Sequence, residues 1–101
     1  MILYNVTVNV EDTILPEWIT YMQEEHIPEV IATGCFKGYR FWQIIPEKVE
    51  TTGRTYCVQY ECESLTVYDS YQKKYAPALQ AKHTAKYEGH FVAFRTVLKE
   101  L

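Results

Sequence analysis

Two histidines stand where the sequence otherwise places apolar groups. His26 closes the stripe Leu15, Trp18, Met22, His26, and His83 closes the stripe Tyr68, Tyr71, Tyr75, Leu79, His83, with members three or four residues apart. That spacing puts each set on one face of a helix. Each imidazole also lies within six residues of a proline, Pro28 or Pro77, where a kink would leave room beside it. Two such helices packed side by side would bring both rings into one space. Imidazole titrates near neutrality, so the pair could carry protons, bind a metal or ligate haem. The plainer alternative for each is a helix-end cap or a satisfied core group. His90, beside Gly89 at a strand start, reads as a surface residue.

Other candidates surround this pair. Trp18, Tyr68, Tyr71 and Tyr75 could line a flat aromatic ligand, although aromatic stripes at helical spacing also build ordinary cores. Arg40 and Arg95 fall among mostly apolar strand neighbours. An inward Arg must meet a carboxylate or an anion; an outward one reaches a partner chain. A metal set is incomplete. Glu25 and Glu29 flank His26 but point away from it on a regular helix, and Glu24-Glu25-His26 has no second His four residues on. Cys35, Cys57 and Cys62 contain no CxxC pair. Cys57 and Cys62 point to opposite faces of one strand, so all three read as reduced, mostly buried thiols. No Gly-rich phosphate loop, GxSxG turn or close Cys–His pair is present, which argues against hydrolase and nucleotide chemistry of the familiar kinds.

The elements that must position these groups follow from periodicity. Residues 2–10 alternate, with Ile2, Tyr4, Val6, Val8 and Val10 against Asn5, Thr7 and Asn9, as in a half-buried strand. Asp12 and Thr13 offer caps for the first helix, Pro16 suits its first turn, Pro28 should bend or end it, and Gly34 stops it. Residues 35–46 read as an aromatic second strand and 46–54 as a hairpin loop. The third strand turns Tyr56, Val58, Tyr60 and Cys62 to the core. Ser64 caps the second helix, which Pro77 should kink, and residues 90–98 form the last strand.

The order is βαββαβ: an α+β, ferredoxin-like sandwich with a four-stranded antiparallel sheet and two helices on one face. The whole chain, 1–101, is one domain. The other sheet face, expected to carry Tyr39, Phe41, Ile45 and one apolar row of the last strand, is large and apolar for a monomer. A face-to-face homodimer would cover it.

Composition sets outer bounds. The net charge of −3 and pI near 5.6 argue against nucleic acid as a partner. No apolar run approaches the roughly 20 residues of a membrane span. The opening Met1-Ile2-Leu3-Tyr4-Asn5 lacks the basic and long apolar regions of a signal peptide, and the expected location is the cytoplasm.

The stretches Tyr4-Asn5-Val6-Thr7-Val8-Asn9, His26-Ile27-Pro28-Glu29-Val30, Ala76-Pro77-Ala78-Leu79-Gln80-Ala81 with His83, and Phe91-Val92-Ala93-Phe94-Arg95-Thr96 resemble a bacterial family of short proteins known only as a domain of unknown function. The resemblance spans nearly the whole chain and implies a dimeric α/β barrel with no assigned activity. More distantly, the layout is similar to antibiotic-biosynthesis and haem-degrading monooxygenases. By that similarity Asn5 and His83 stand at comparable places to a strand-one Asn and a second-helix His, while Tyr71 falls near the position of a Trp. Fold likeness alone does not give function. The leading expectation is a homodimer holding a small aromatic or haem-like molecule between helices and sheet, in a closed cavity of several hundred Å³. His83 and His26 would be its candidate catalytic groups, and Tyr71, Tyr75, Trp18, Asn5 and Arg95 its ligand contacts; no cofactor is specified. The alternatives are an interaction or regulatory dimer with a filled core, and an isomerase or dehydratase using His as proton carrier.

Overall fold

The computed structural model describes residues 1–45 and 53–101; most of the hairpin loop expected over 46–54, with the strand-closing Pro46, lies outside them. Strands β1 (Ile2–Val10), β2 (Gly38–Ile44), β3 (Arg54–Cys62) and β4 (Phe91–Lys99) form one antiparallel sheet in the order β2-β3-β1-β4. The first strand lies inside the sheet because its alternating row can be buried only with a neighbour on each side. Tyr4 stands opposite Tyr60 on β3 and Val97 on β4. This is the ferredoxin-like α+β arrangement.

The helical layer comprises α1 (Leu15–Tyr21), a π turn (Met22–His26), α2 (Ile27–Ala32), α3 (Leu65–Lys74) and α4 (Ala76–Tyr87). Each expected helix is therefore broken once, near its proline. Pro28 has no N–H, and its ring would strike the carbonyl of Glu24 in regular α geometry. The chain widens by one residue per turn over 22–26 and continues past the proline to Ala32, so that of the two outcomes open at Pro28 it takes the bend. The second break falls at Tyr75 (φ −121°, ψ −38°), two residues before Pro77.

Two ends match the sequence reading and one does not. The Ser64 side chain accepts from the Val67 N–H at 3.2 Å, and Gly34 takes φ +78° after α2. Asp12 and Thr13 do not cap α1. They form a short 3-10 turn (Asp12–Ile14), and Ile14 precedes the helix without a side-chain hydrogen bond.

The core lies between helices and sheet and is strongly aromatic. Tyr4, 2% exposed, has the rings of Phe36, Tyr60, Tyr68 and Tyr71 at 5.2–6.0 Å between centroids, in the range where aromatic pairs attract. The second strand corrects the expectation for the other face. Register pairs Tyr39 with Tyr60 and Phe41 with Val58, so both belong to the helix side, and Phe41 sits 6.0 Å from the ring of Trp18. Trp42 and Ile44 take the open side, while Ile45 lies past the strand end and is 74% exposed. The strand begins at Gly38, later than its aromatics suggest. In Tyr39-Arg40-Phe41-Trp42 both faces receive an aromatic, so the run has no phase of its own, and pairing with β3 decides it.

Gly53 makes a close approach that no other residue type fits. It has φ +78°, and a Cβ there would stand 2.6 Å from the Val10 carbonyl oxygen, whereas Gly34, with the same φ, has open space around that position. Left-handed backbone costs a non-glycine residue about 1–2 kcal/mol. Gly34→Ala should lose about that much stability and Gly53→Ala at least ~1 kcal/mol more. Equal losses in urea unfolding would contradict the contact.

Candidate ligand site between helices and sheet

The two broken helices each bring one histidine to the same part of the interior. The π turn ends on His26, and α4 brings His83 beside it with ring centroids 5.5 Å apart and planes at 64°. His83 is 8% exposed and is enclosed by Phe91 at 4.5 Å, Tyr87 at 5.5 Å and Tyr21 at 6.2 Å. Trp18, fully buried on α1, donates its indole N–H to Nε2 of His83 at 2.9 Å. Across the top, Lys82 of α4 pairs with Glu29 of α2.

The Trp18 bond settles the protonation of His83. Indole N–H can only donate, so Nε2 must hold a lone pair and the ring proton sits on Nδ1. Burial holds the pKa of His83 down at about 4, with His26 and Arg95 lowering it further. Burial likewise holds His26 at about 4, opposed by Glu29 and reinforced by Arg95 and Lys82. Both rings are neutral at pH 7. His83 keeps one donor, Nδ1–H, and is not a base through Nε2 while the indole occupies it.

A cavity of about 40 Å³ lies below the pair. Its polar wall is His26, His83, Gln80, Arg95 and the tyrosines Tyr4, Tyr60 and Tyr71; Val6, Val8, Met22, Val30, Phe91 and Ala93 supply the apolar part. The space exceeds the roughly 10–15 Å³ that one water needs but falls far below the expected several hundred Å³. The interior is neither an open ligand chamber nor a filled core. No acidic side chain lines it. Tyr60 is 2% exposed, and its hydroxyl has no hydrogen-bond partner among the described residues. Burial pushes the Tyr60 and Tyr71 hydroxyls well above the usual phenol range, so both remain protonated donors.

Of the residues singled out by sequence, the fold brings His26, His83, Tyr71 and Arg95 to one wall. Trp18 stands behind His83 rather than facing the space. Tyr75 is 39% exposed at the break between α3 and α4, outside the cavity wall. Asn5 is on the opposite sheet face, where its amide donates to the Thr7 hydroxyl at 3.1 Å. Arg40 also lies on that face, paired with Gln59. His90 is a surface group, with Nδ1 2.9 Å from a Glu11 carboxylate oxygen. Cys57 and Cys62 occupy opposite faces, and all three cysteines are free. Among the described residues no three His, Cys, Asp or Glu side chains converge as metal ligands, and no helix is long and apolar enough to cross a membrane. Sequence reasoning passed over Tyr60 and Gln80. Gln80 lies three residues before His83, a helical neighbour spacing that could have flagged it.

A βαββαβ sandwich with a cleft between its helices and sheet defines the class: a ferredoxin-like α+β protein. The chain belongs to the family described as domain of unknown function DUF4286, which it matches over residues 1–101. Among solved structures it is similar to an MhuD mutant with two manganese protoporphyrin IX molecules bound per active site (16% identity, TM-score 0.67, 100% of this chain and 95% of that one). It is similar to an ethyl tert-butyl ether D family protein from Bacillus halodurans (12% identity, TM-score 0.66, 100% of both chains). A third is a protein from Deinococcus radiodurans provisionally assigned as an antibiotic biosynthesis monooxygenase (13% identity, TM-score 0.57, 100% and 93%). At these identities the likeness is one of fold. No curated protein matches the chain.

The depressed imidazoles make stability depend on pH with a definite sign. Unfolded histidines take protons near pH 6.5, but the folded pair refuses them until about 4. Stability is therefore whole above pH 6.5 and falls as pH drops toward 4, by up to roughly 3 kcal/mol per ring. Urea unfolding at pH 7.5 and 4.5 should show this loss, and His26→Gln should reduce it. In Trp18→Phe the donor that opposes protonation of Nε2 is gone, so the NMR-titrated pKa of His83 should rise while that of His26 stays low. An unmoved His83 would mean that the indole does not control the ring.

Proposed function

We propose that this chain is a cytoplasmic homodimeric binding protein whose ligand is a compact small molecule seated beside His26 and His83. The observation that carries this reading is a pair of neutral imidazoles, 5.5 Å apart, held at the wall of a cavity that also presents Arg95, Gln80 and Tyr60. A folding core has no need to gather that many polar groups, whereas ligand sites combine apolar walls with a few converging ones.

Binding is favoured over catalysis by the acidity of the histidines. A general base works best with a pKa near the operating pH, and rings held at about 4 are weak bases at neutrality. Oxygenation without a cofactor begins with a substrate that gives up a proton. These rings would support it only for an unusually acidic substrate. The porphyrins described in one structural neighbour support a ligand site on this fold, but about 40 Å³ does not admit a haem without parting helices and sheet. His83 also has its Nε2 committed to Trp18. Titration with haemin should give no Soret shift that depends on His83. A shift abolished by His83→Ala would overturn the compact-ligand reading.

The homodimer rests on the open sheet face. Trp42, Ile44, Val92, Phe94 and Leu98 are 41–71% exposed there, an apolar patch of the kind that marks a protein interface. An isologous pairing of two sheets covers it on both copies. Sedimentation equilibrium at micromolar concentration should give twice the chain mass, falling to the monomer in Phe94→Glu. A wild-type monomer would sink this part of the proposal.

A further inference from the structure

We infer that the ligand is a small monocarboxylate with an apolar body, its carboxylate taken by the Arg95 guanidinium with the Tyr60 hydroxyl and the Nδ1–H of His83 as further donors. The inference rests on the binding reading above and names the chemical class that the site selects.

The first argument is charge. Arg95 is the one ionised group among the described residues of the cavity wall, because both histidines are neutral and no Asp or Glu lines the space. Lys37, Arg54, Lys82 and Lys86 each stand within ion-pair distance of a carboxylate; among the described residues Arg40, Lys73, Lys74, Arg95 and Lys99 do not, and of these the partly solvent-facing Arg95 alone lines the cavity. A wall of one positive charge is matched by one negative charge. Guanidinium also suits a planar carboxylate, which it grips through two parallel N–H donors.

The second argument is the balance of donors. His83 can present only Nδ1–H, since Trp18 holds Nε2. The hydroxyls of Tyr21, Tyr60 and Tyr87 are buried without a hydrogen-bond partner among the described residues; of the three Tyr60 belongs to the cavity wall, where it is a second donor and is costly unless something accepts from it. With the guanidinium of Arg95 counted, donors outnumber the acceptors of the wall, which are the Gln80 carbonyl, one His26 nitrogen and the tyrosine oxygens, as a carboxylate with its four lone-pair sites requires. Apolar groups make up the remaining wall: Val6, Val8, Met22, Val30 and Phe91. A volume of about 40 Å³ limits the body to a few carbon atoms. If no ligand exists, Arg95 merely extends over the rim into water, and charge at the ligand would make no difference.

The test compares propionate and butyrate with propionamide and butyramide, which match them in shape but carry no charge. Titrations are followed by NMR at the His26 and His83 ring protons and the Gln80 side-chain amide. The acids should saturate at concentrations at least tenfold below the amides, and added NaCl should weaken the acids alone. Arg95→Gln should bring the acids down to the amide level, Arg95→Lys should restore part of the difference, and Tyr60→Phe should weaken the acids several-fold. Amides that bind as well as the acids, or acid binding indifferent to salt and to Arg95→Gln, would overturn the carboxylate while leaving the pocket in place. If neither series nor a neutral fragment set moves the wall resonances, the binding reading falls and the carboxylate with it.

Discussion

The indole N–H of Trp18 has one hydrogen bond to give, and in this fold it goes to Nε2 of His83, 65 residues away in sequence. Much of the interior is arranged by that choice. It joins α1 to α4, beside the contact of the Tyr21 and Tyr87 rings and the Glu17–Lys86 ion pair between the same two helices. It fixes the ring proton on Nδ1 and the ring's rotation about its own axis. A buried indole N–H without an acceptor would cost about 1–3 kcal/mol, so the histidine is as necessary to the tryptophan as the reverse.

The same bond explains why a histidine can occupy a core stripe. Charging the ring would require a proton at the atom already used as acceptor, in surroundings made of Phe91, Tyr87 and Tyr21 rings. Desolvation and the nearby Arg95 work in the same direction. Burial is the largest cause at both rings, and at His26 the Glu29 carboxylate opposes it. The π turn ending on His26 is the local consequence of Pro28, and such turns recur at functional sites. A backbone irregularity imposed by a proline thus sets the spacing of the two rings.

The sheet separates two tasks. Its helix side carries Tyr4, Val6, Val8 and the tyrosines of β3, and the cleft lies there. Its other side carries Trp42, Ile44, Val92 and Phe94 above a polar floor that includes Asn5, Thr7 and Gln59. Because strand side chains alternate, a residue's task is set by its parity. Asn5 shows the force of this. It is one residue from Tyr4, in the cleft wall, yet it faces away from the cleft altogether.

Much of this was legible in the amino-acid order. The alternation of residues 2–10 and the stripes ending on His26 and His83 state the element types, and Ser64 and Gly34 mark two boundaries correctly. Strand β2 was not legible in phase, because neighbouring aromatics at 41 and 42 satisfy either face and only pairing with β3 chooses. Tyr75 kept helical spacing yet left the wall, because the break before Pro77 ends the stripe's common direction. Local sequence thus determined where helices and strands run, which residues share a helix face and that two imidazoles lie on the inner side. Tertiary structure alone decided that the imidazoles meet, which nitrogen keeps its lone pair, that Arg95 shares their cavity wall and that the Tyr60 hydroxyl is buried with no partner among the described residues. Periodicity depends on neighbours three or four residues apart, whereas tautomer, desolvation and cavity size depend on groups that sequence separates by dozens of residues and only packing brings within a few ångströms.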